Sequence, residues 1–141
     1  MRKTVAVDAS FLAALLDRRA RTSSVAGLIE QLSGENAKVI IPTPALAEVL
    51  TRAKEAAPAY LEQINRCSCF QVRPFDDKAS IELAELLVER VGGMRDILRF
   101  DRQIVAIAKV YGATTLYAGS EEVAAFAAEC GIEVRRFNDL S

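Results

Sequence analysis

The chain has 141 residues, 51% of them apolar and 26% charged, with a formal net charge of −1. That length suits one domain with its own core. The balance excludes a disordered or fibrous chain, and the near-zero charge excludes any general attraction to nucleic acid or membrane, so an anionic partner must be met by a local patch. The chain contains no histidine. Ser-His-Asp and Cys-His nucleophiles, histidine-ligated zinc and imidazole acid–base chemistry are thereby removed, leaving carboxylates, lysine, hydroxyls, thiols or a bound metal or cofactor to carry any catalysis.

Cys67, Cys69 and Cys130 are an odd number and contain no CxxC pair. A disulfide between Cys67 and Cys69 would be strained, so they read as reduced thiols packed in or beside a strand, in a cytoplasmic protein. The apolar run Val5 to Val7 is too short for a signal peptide, and no run approaches the ~18 residues of a membrane helix.

In chain order, Thr4 to Val7 is expected as a buried strand. An Asp8-Ala9-Ser10 turn follows, and then an Ala/Leu-rich helix to about Arg19. Val25, Leu28, Ile29 and Leu32 recur at helical spacing, Gly34 to Asn36 punctuates, and Lys38 to Ile41 is a second strand. A helix begins near Pro44 with Leu46, Val49, Leu50 and Ala53 as its core face. A break near Pro58 precedes a short helix with Leu61 and Ile64, and Cys69 to Val72 is a third strand. From Asp76 a helix buries Leu83, Ala84, Leu86 and Leu87 and stops at Gly92-Gly93. Asp101 opens a helix with Ile104, Ile107, Ala108 and Tyr111 on one face, closed by Gly112. Thr114 to Tyr117 is a strand, Ser120 to Cys130 a helix, and Ile132 to Arg135 a last strand. Strands alternating with helices predict one α/β domain over residues 1–141, a parallel sheet covered on both faces.

Ligands of such sheets bind beyond the carboxyl ends of the strands. Asp8 ends the first strand, Glu48 lies one turn into the helix after the second, Asp101 opens the helix before the fourth, and Ser120, Glu121 and Glu122 follow it. Two carboxylates ~4 Å apart repel by about 4 kcal/mol at an effective dielectric near 20. Such a group must hold a proton or a hard divalent cation such as Mg²⁺ or Mn²⁺, and a carboxylate-held Mg²⁺ suits phosphoryl transfer.

Each residue also has a plainer reading. Asp8 or Ser10 caps the following helix, Asp101 caps its own, Glu48 pairs with Arg52 across one helical turn, and Ser120 with Glu121 and Glu122 forms a cap with acids in the first turn. Of the basic residues near the rim, Arg18, Arg19, Arg21, Arg52, Lys54, Arg95, Arg99 and Arg102, the last three stand beside Asp101 and are phosphate-contact candidates. No phosphate-loop or dinucleotide glycine motif occurs.

The order Asp8, Glu48, Asp101 resembles the PIN-domain ribonucleases, including the VapC toxins of toxin–antitoxin pairs. The stretches that carry the likeness are Val5-Ala6-Val7-Asp8-Ala9-Ser10, Pro42-Thr43-Pro44-Ala45-Leu46-Ala47-Glu48-Val49 and Arg99-Phe100-Asp101-Arg102-Gln103-Ile104-Val105-Ala106-Ile107-Ala108. It extends into Ala113 to Tyr117 and Gly131 to Val134. The resemblance implies a three-layer sandwich with four to five parallel strands, Mg²⁺ or Mn²⁺ at the carboxylates, and hydrolysis of RNA phosphodiesters. By position Asp8 and Asp101 ligate metal, Glu48 holds metal or its water, and Ser10, Ser120 and Glu121 are auxiliary. It further implies a small antitoxin protein that inserts a segment over the acidic cleft, and a homodimer is compatible with the alanine-rich helices. The family usually has an Asp where this chain has Ser120, which puts a second metal in doubt. Two other classes stay open: a PIN-like RNA- or protein-binding module with an incomplete metal site, and an α/β phosphatase acting on a small substrate.

Overall fold

In the computed structural model, which describes residues 2–17, 23–90 and 100–140, five short strands form one sheet. They are β1 (Thr4–Val7), β2 (Lys38–Pro42), β3 (Phe70–Arg73), β4 (Thr115–Tyr117) and β5 (Glu133–Arg135). All four pairings are parallel, in the order β3-β2-β1-β4-β5. The helices are α1 (Ala9–Leu16), α2 (Ser23–Gly34), α3 (Thr43–Ala53), α4 (Ala57–Arg66), α5 (Asp77–Arg90), α6 (Phe100–Val110) and α7 (Glu121–Glu129). Strand order grows one way from β1 to β3 and the other way from β4 to β5. Right-handed crossovers therefore put the first two connections on one face and the last two on the other. Packing of α1 on α3, and of α6 on α5 and α7, agrees with that. The result is the expected three-layer sandwich, and β1 is its central strand, with Val5, Ala6 and Val7 fully buried.

Three helices hand over to strands by the same device. Asn36, Gly112 and Gly131 take positive φ, at 54°, 88° and 82°. At each, the next residue's N–H reaches back past the turn: Ala37 to the Leu32 carbonyl, Ala113 to Ala108, and Ile132 to Ala127. These are Schellman ends, and they favour glycine or asparagine because an ordinary side chain crowds its own backbone there.

The remaining differences from expectation have local causes. Helix α1 ends at Leu16, and the Arg19 end expected for it lies outside the described residues, as does Gly92-Gly93. The break expected near Pro58 falls earlier, where Lys54 takes φ 52° and a 3₁₀ turn (Lys54–Ala56) intervenes. Pro58 sits instead in the first turn of α4, where its missing N–H costs nothing. In α3 the fully buried positions are Ala45 and Val49, with Leu46, Leu50 and Ala53 half-covered. Ala84 is exposed, while Ala79 one turn earlier is buried beside Leu83, Leu86 and Leu87.

Cys67 and Cys69 flank the turn into β3, beside an apolar cavity of about 410 Å³ lined by Leu15, Leu16, Ile29, Leu32 and Phe70. Burial, then a hydrogen bond that the Cys69 thiol donates to Cys67, pushes the Cys69 thiol up to about 12. It stays protonated at neutral pH and is a poor nucleophile.

Asp76 ties the far end of α6 to the start of α5. One carboxylate oxygen accepts the Ala79 N–H at 3.0 Å, and the other accepts the Tyr111 hydroxyl. The Tyr111 bond, then the Ala79 bond, holds the Asp76 carboxyl below its ordinary 3.8, and the same contact raises Tyr111 above 10. A depressed acid stabilises the fold above its unfolded value and stops doing so as pH falls through the lower folded value. A raised tyrosine stabilises below pH 10, and that contribution fades as pH rises further. Tyr111→Phe is therefore expected to lower Tm between about pH 5 and 9. The gap to the native chain should close in acid below the Asp76 value, as read by thermal denaturation across pH. A gap that persists undiminished in strong acid would remove this assignment.

Candidate active site

The strand order reverses between β1 and β4, and Asp8 leaves β1 at that crevice. Its side chain is 1% exposed. Oδ1 accepts the Phe11 N–H at 2.9 Å and so caps α1. Oδ2 accepts the N–H groups of Gly119 and Ser120, both at 2.9 Å, in the loop that leaves β4. The backbone N–H of Asp8 in turn donates to the Tyr117 carbonyl. A buried carboxylate must be compensated. Here three N–H donors and the positive ends of α1 and α7 supply that compensation. Asp8 therefore caps its helix, as its plainer reading has it, and also clasps the two strands on either side of the switch point.

Gly119 makes the clasp possible. A Cβ there would lie 2.4 Å from the Ser10 Cβ and 2.9 Å from the Phe137 ring. Phe137, in the 3₁₀ turn Phe137–Leu140, stacks on Phe11 with ring centroids 4.1 Å apart and planes 8° from parallel. Arg136 adds a guanidinium bond to the Gly119 carbonyl at 3.2 Å. Sequence reasoning missed Gly119, Arg136 and Phe137. The Gly in Ala118-Gly119-Ser120 was a usable signal for close backbone approach, whereas nothing local marked Arg136.

Glu48 is in the second turn of α3, with its side chain 44% exposed and an Arg52 nitrogen 3.6 Å from its carboxylate. That is the i,i+4 pair foreseen from spacing. Glu48 borders two clefts. One, of about 380 Å³, is shared with Ser10, Asp17 and Tyr60, and the other, of about 580 Å³, with Thr43, Phe100 and Gln103. Asp101 is half-buried in the first turn of α6, its Oδ1 accepting the Arg102 N–H at 3.0 Å and its Oδ2 buried. The three carboxylates thus occupy the same end of the sheet, arriving on β1, α3 and α6. Among the described residues, however, no three acidic or thiol side chains gather closely enough to share one metal ion. Asp8 is anchored by N–H groups, and Glu48 leans to Arg52.

Ser10 is exposed on α1 beside the Glu48 cleft. Ser120 is the N-cap of α7, accepting from the Val123 N–H at 3.4 Å and donating to Glu122 at 3.1 Å, and Glu121 and Glu122 point outward in that first turn. The Arg102 guanidinium lies 4.2 Å from the centre of the Phe126 ring, between α6 and α7. Arg18, Arg19, Arg21, Arg95 and Arg99 lie outside the described residues.

Two outcomes follow from the clasp. An asparagine at position 8 has one acceptor oxygen, so its amide must face either Phe11 N–H or the Gly119/Ser120 pair. Asp8→Asn is expected to cost about 1–3 kcal/mol, measured by urea denaturation, whereas Glu48→Gln should stay within about 0.5 kcal/mol. Gly119→Ala is expected to cost about 1–3 kcal/mol by overpacking. Ser10→Gly should recover part of that loss in a double-mutant cycle, and additive effects would show that the two positions do not touch.

None of the curated proteins matches this chain in sequence. Its fold does match solved toxin–antitoxin structures. VapBC2 from Rickettsia felis, bound to a promoter DNA fragment, superposes with a TM-score of 0.65 at 16% identity, over 94% of this chain and 98% of that one. FitAcB from Neisseria gonorrhoeae gives 0.65 at 15% identity, over 92% and 95%. Mycobacterium tuberculosis VapC20, a sarcin–ricin loop cleaving toxin, gives 0.61 at 22% identity, over 93% and 98%. At such identities these likenesses speak for the fold. The PIN domain family model matches residues 5–128, so the span from β1 through α7 that builds the acidic rim is a PIN domain, and the chain belongs to that family.

Proposed function

We propose that the protein is a divalent-metal-dependent endoribonuclease that hydrolyses RNA phosphodiesters, the toxin half of a toxin–antitoxin pair. The observation that carries this reading is the buried Asp8 carboxylate at the switch point, on one rim with Glu48 and Asp101. PIN-family membership and the likeness to VapBC and FitAB complexes support it. They also support a small antitoxin as partner, and the homodimer remains part of the proposal.

The donor set fits Mg²⁺ or Mn²⁺. It is all oxygen, with no histidine and no thiol on the rim, which is the chemistry hard cations take. A carboxylate offers about four acceptor positions, and three N–H groups use three of those on Asp8, leaving capacity for a cation. The Glu48–Arg52 pair is solvent-exposed and worth under about 1 kcal/mol, so Glu48 turns inward at little cost. Asp8, Asp101 and Glu48 are the residues that would hold the ion, which when bound supplies charge to the phosphate and lowers the pKa of water. The chain's own contribution is to fix Asp8 rigidly, to keep Glu48 movable for orienting the attacking water, and to offer the Ser10, Ser120 and Glu121 side chains to the hydration shell. Arg95, Arg99 and Arg102 are proposed for the RNA phosphates.

The prediction is that EDTA abolishes cleavage of RNA by the purified chain and that Mn²⁺ restores it. Asp101→Asn and Glu48→Gln should each lower the rate by about 100-fold or more, the scale of a positioned acid–base group, without a matching fall in Tm. Undiminished cleavage by either variant would overturn the assignment.

A second reading, a PIN-like RNA- or protein-binding module with little catalysis, is favoured by one feature. Ser120 stands in the usual acidic place and is committed to capping α7. Calorimetric titration with Mn²⁺ separates the two: heat with a defined stoichiometry that disappears in Asp101→Asn supports the nuclease, and no heat at millimolar Mn²⁺ supports the module.

A further inference from the structure

Helical spacing puts Phe100 on the same stripe as Ile104, Ile107, Ala108 and Tyr111, yet it is 63% exposed, while Ile104, Ile107 and Ala108 are buried. Among the described residues no large apolar side chain is more exposed. It stands at the first position of α6, next in sequence to Asp101, on the wall of the larger cleft. That cleft, about 580 Å³, also presents Thr43, Glu48, Arg52, Phe75 and Gln103. Its volume is within the range of small-ligand sites. Glu48 and Arg52 also border the smaller cleft, where Ser10 and Tyr60 stand. The two clefts therefore adjoin at Glu48 and Arg52, with the Tyr60 ring in one and the Phe100 ring in the other.

We propose that Phe100 is a stacking platform for an unpaired nucleobase of the RNA substrate, lodged in the cleft beside Glu48 with the Gln103 amide in reach of the base edge. The inference rests on the nuclease reading and adds to it a residue that selects single-stranded over paired RNA. Three features point to a base as the occupant. The exposed ring shares its cleft with Glu48 and is next in sequence to Asp101, two of the carboxylates proposed to act on a phosphodiester. The wall around it mixes an aromatic pair with hydroxyl, amide and guanidinium groups, the combination that holds a flat heterocycle and its adjoining phosphate. Among the described residues lining the two clefts Arg52 is the one cation, and it pairs with Glu48, so stacking has to supply much of the affinity at this spot. Bases in an A-form duplex are stacked on one another and cannot reach such a ring.

The chain contains no tryptophan, so Phe100→Trp installs a single indole at the site, and the exposure of Phe100 leaves the fold unthreatened. In EDTA, where no turnover occurs, an unpaired oligoribonucleotide is expected to quench the indole emission of the full-length Phe100→Trp chain, and a duplex of the same sequence is not. Phe100→Ala should weaken binding of the unpaired oligonucleotide about tenfold by fluorescence anisotropy. With Mg²⁺ it should raise KM for cleavage by a similar factor with a smaller change in kcat. Binding and KM unchanged in Phe100→Ala would overturn the proposal. So would indole emission that shifts with protein concentration and ignores RNA, because a second copy of the chain would then cover the ring. The EDTA measurement keeps the two readings separate. Loss of stacking with cleavage intact removes Phe100 and leaves the nuclease, whereas quenching in a chain that never cleaves RNA leaves Phe100 as a binding residue and removes the nuclease.

Discussion

A single buried carboxylate governs the architecture of the rim. Asp8 closes β1, caps α1 and accepts two N–H groups from the loop after β4. Those bonds cross the point where strand order reverses, the place where a doubly wound sheet opens a crevice. Leaving this crevice unbridged would strand two loop N–H groups and a carboxylate away from water, each costing about 1–3 kcal/mol or more. Bridging it with backbone donors makes the loop Ala118-Gly119-Ser120 part of the site's floor. The narrow fit of Gly119 against Ser10 and Phe137 follows, because both N–H groups must approach the same oxygen.

The acidic groups around that floor differ in how firmly they are held, and the difference is chemically sensible. Asp8 is inside and rigid, Asp101 is half-buried at a helix start, and Glu48 is outside on a weak pair with Arg52. Three rigid carboxylates facing one another would repel without relief. Grading them from buried to exposed eases that repulsion, since the outermost charge leans to a neighbouring guanidinium.

Much of this was legible in the sequence because the signals were local. Five apolar runs of strand length, Gly112 and Asn36 at helix ends, and a lone Asp directly after the first strand each carry their own structural reason. The order of Asp8, Glu48 and Asp101 then sufficed to suggest the family. The less legible features all depend on partners distant in sequence. The break at Lys54 is a backbone choice that Pro58 only partly betrays. Ala84 reads as core by spacing but faces away from the neighbours that α5 meets. Gly119 matters because of Ser10 and Phe137, and Arg136 because of Gly119, pairs that no window of sequence brings together. Phe100 is not singled out by the sequence pattern at all: the helix is expected to open at Asp101, and its one-residue-earlier start sets that ring in an open cleft.

Ser120 shows how one substitution relative to the family pattern redistributes these roles. An acidic residue there could cap α7 equally well, since Asp and Ser are both good N-caps. It would also set a second negative charge beside the Asp8 oxygen that takes the Ser120 N–H. Serine keeps the cap and the backbone bond while removing that charge. The rim is then less strained on its own and has one fewer fixed oxygen donor for a cation. Of the three carboxylates Glu48 is the most exposed, held outward by its pair with Arg52.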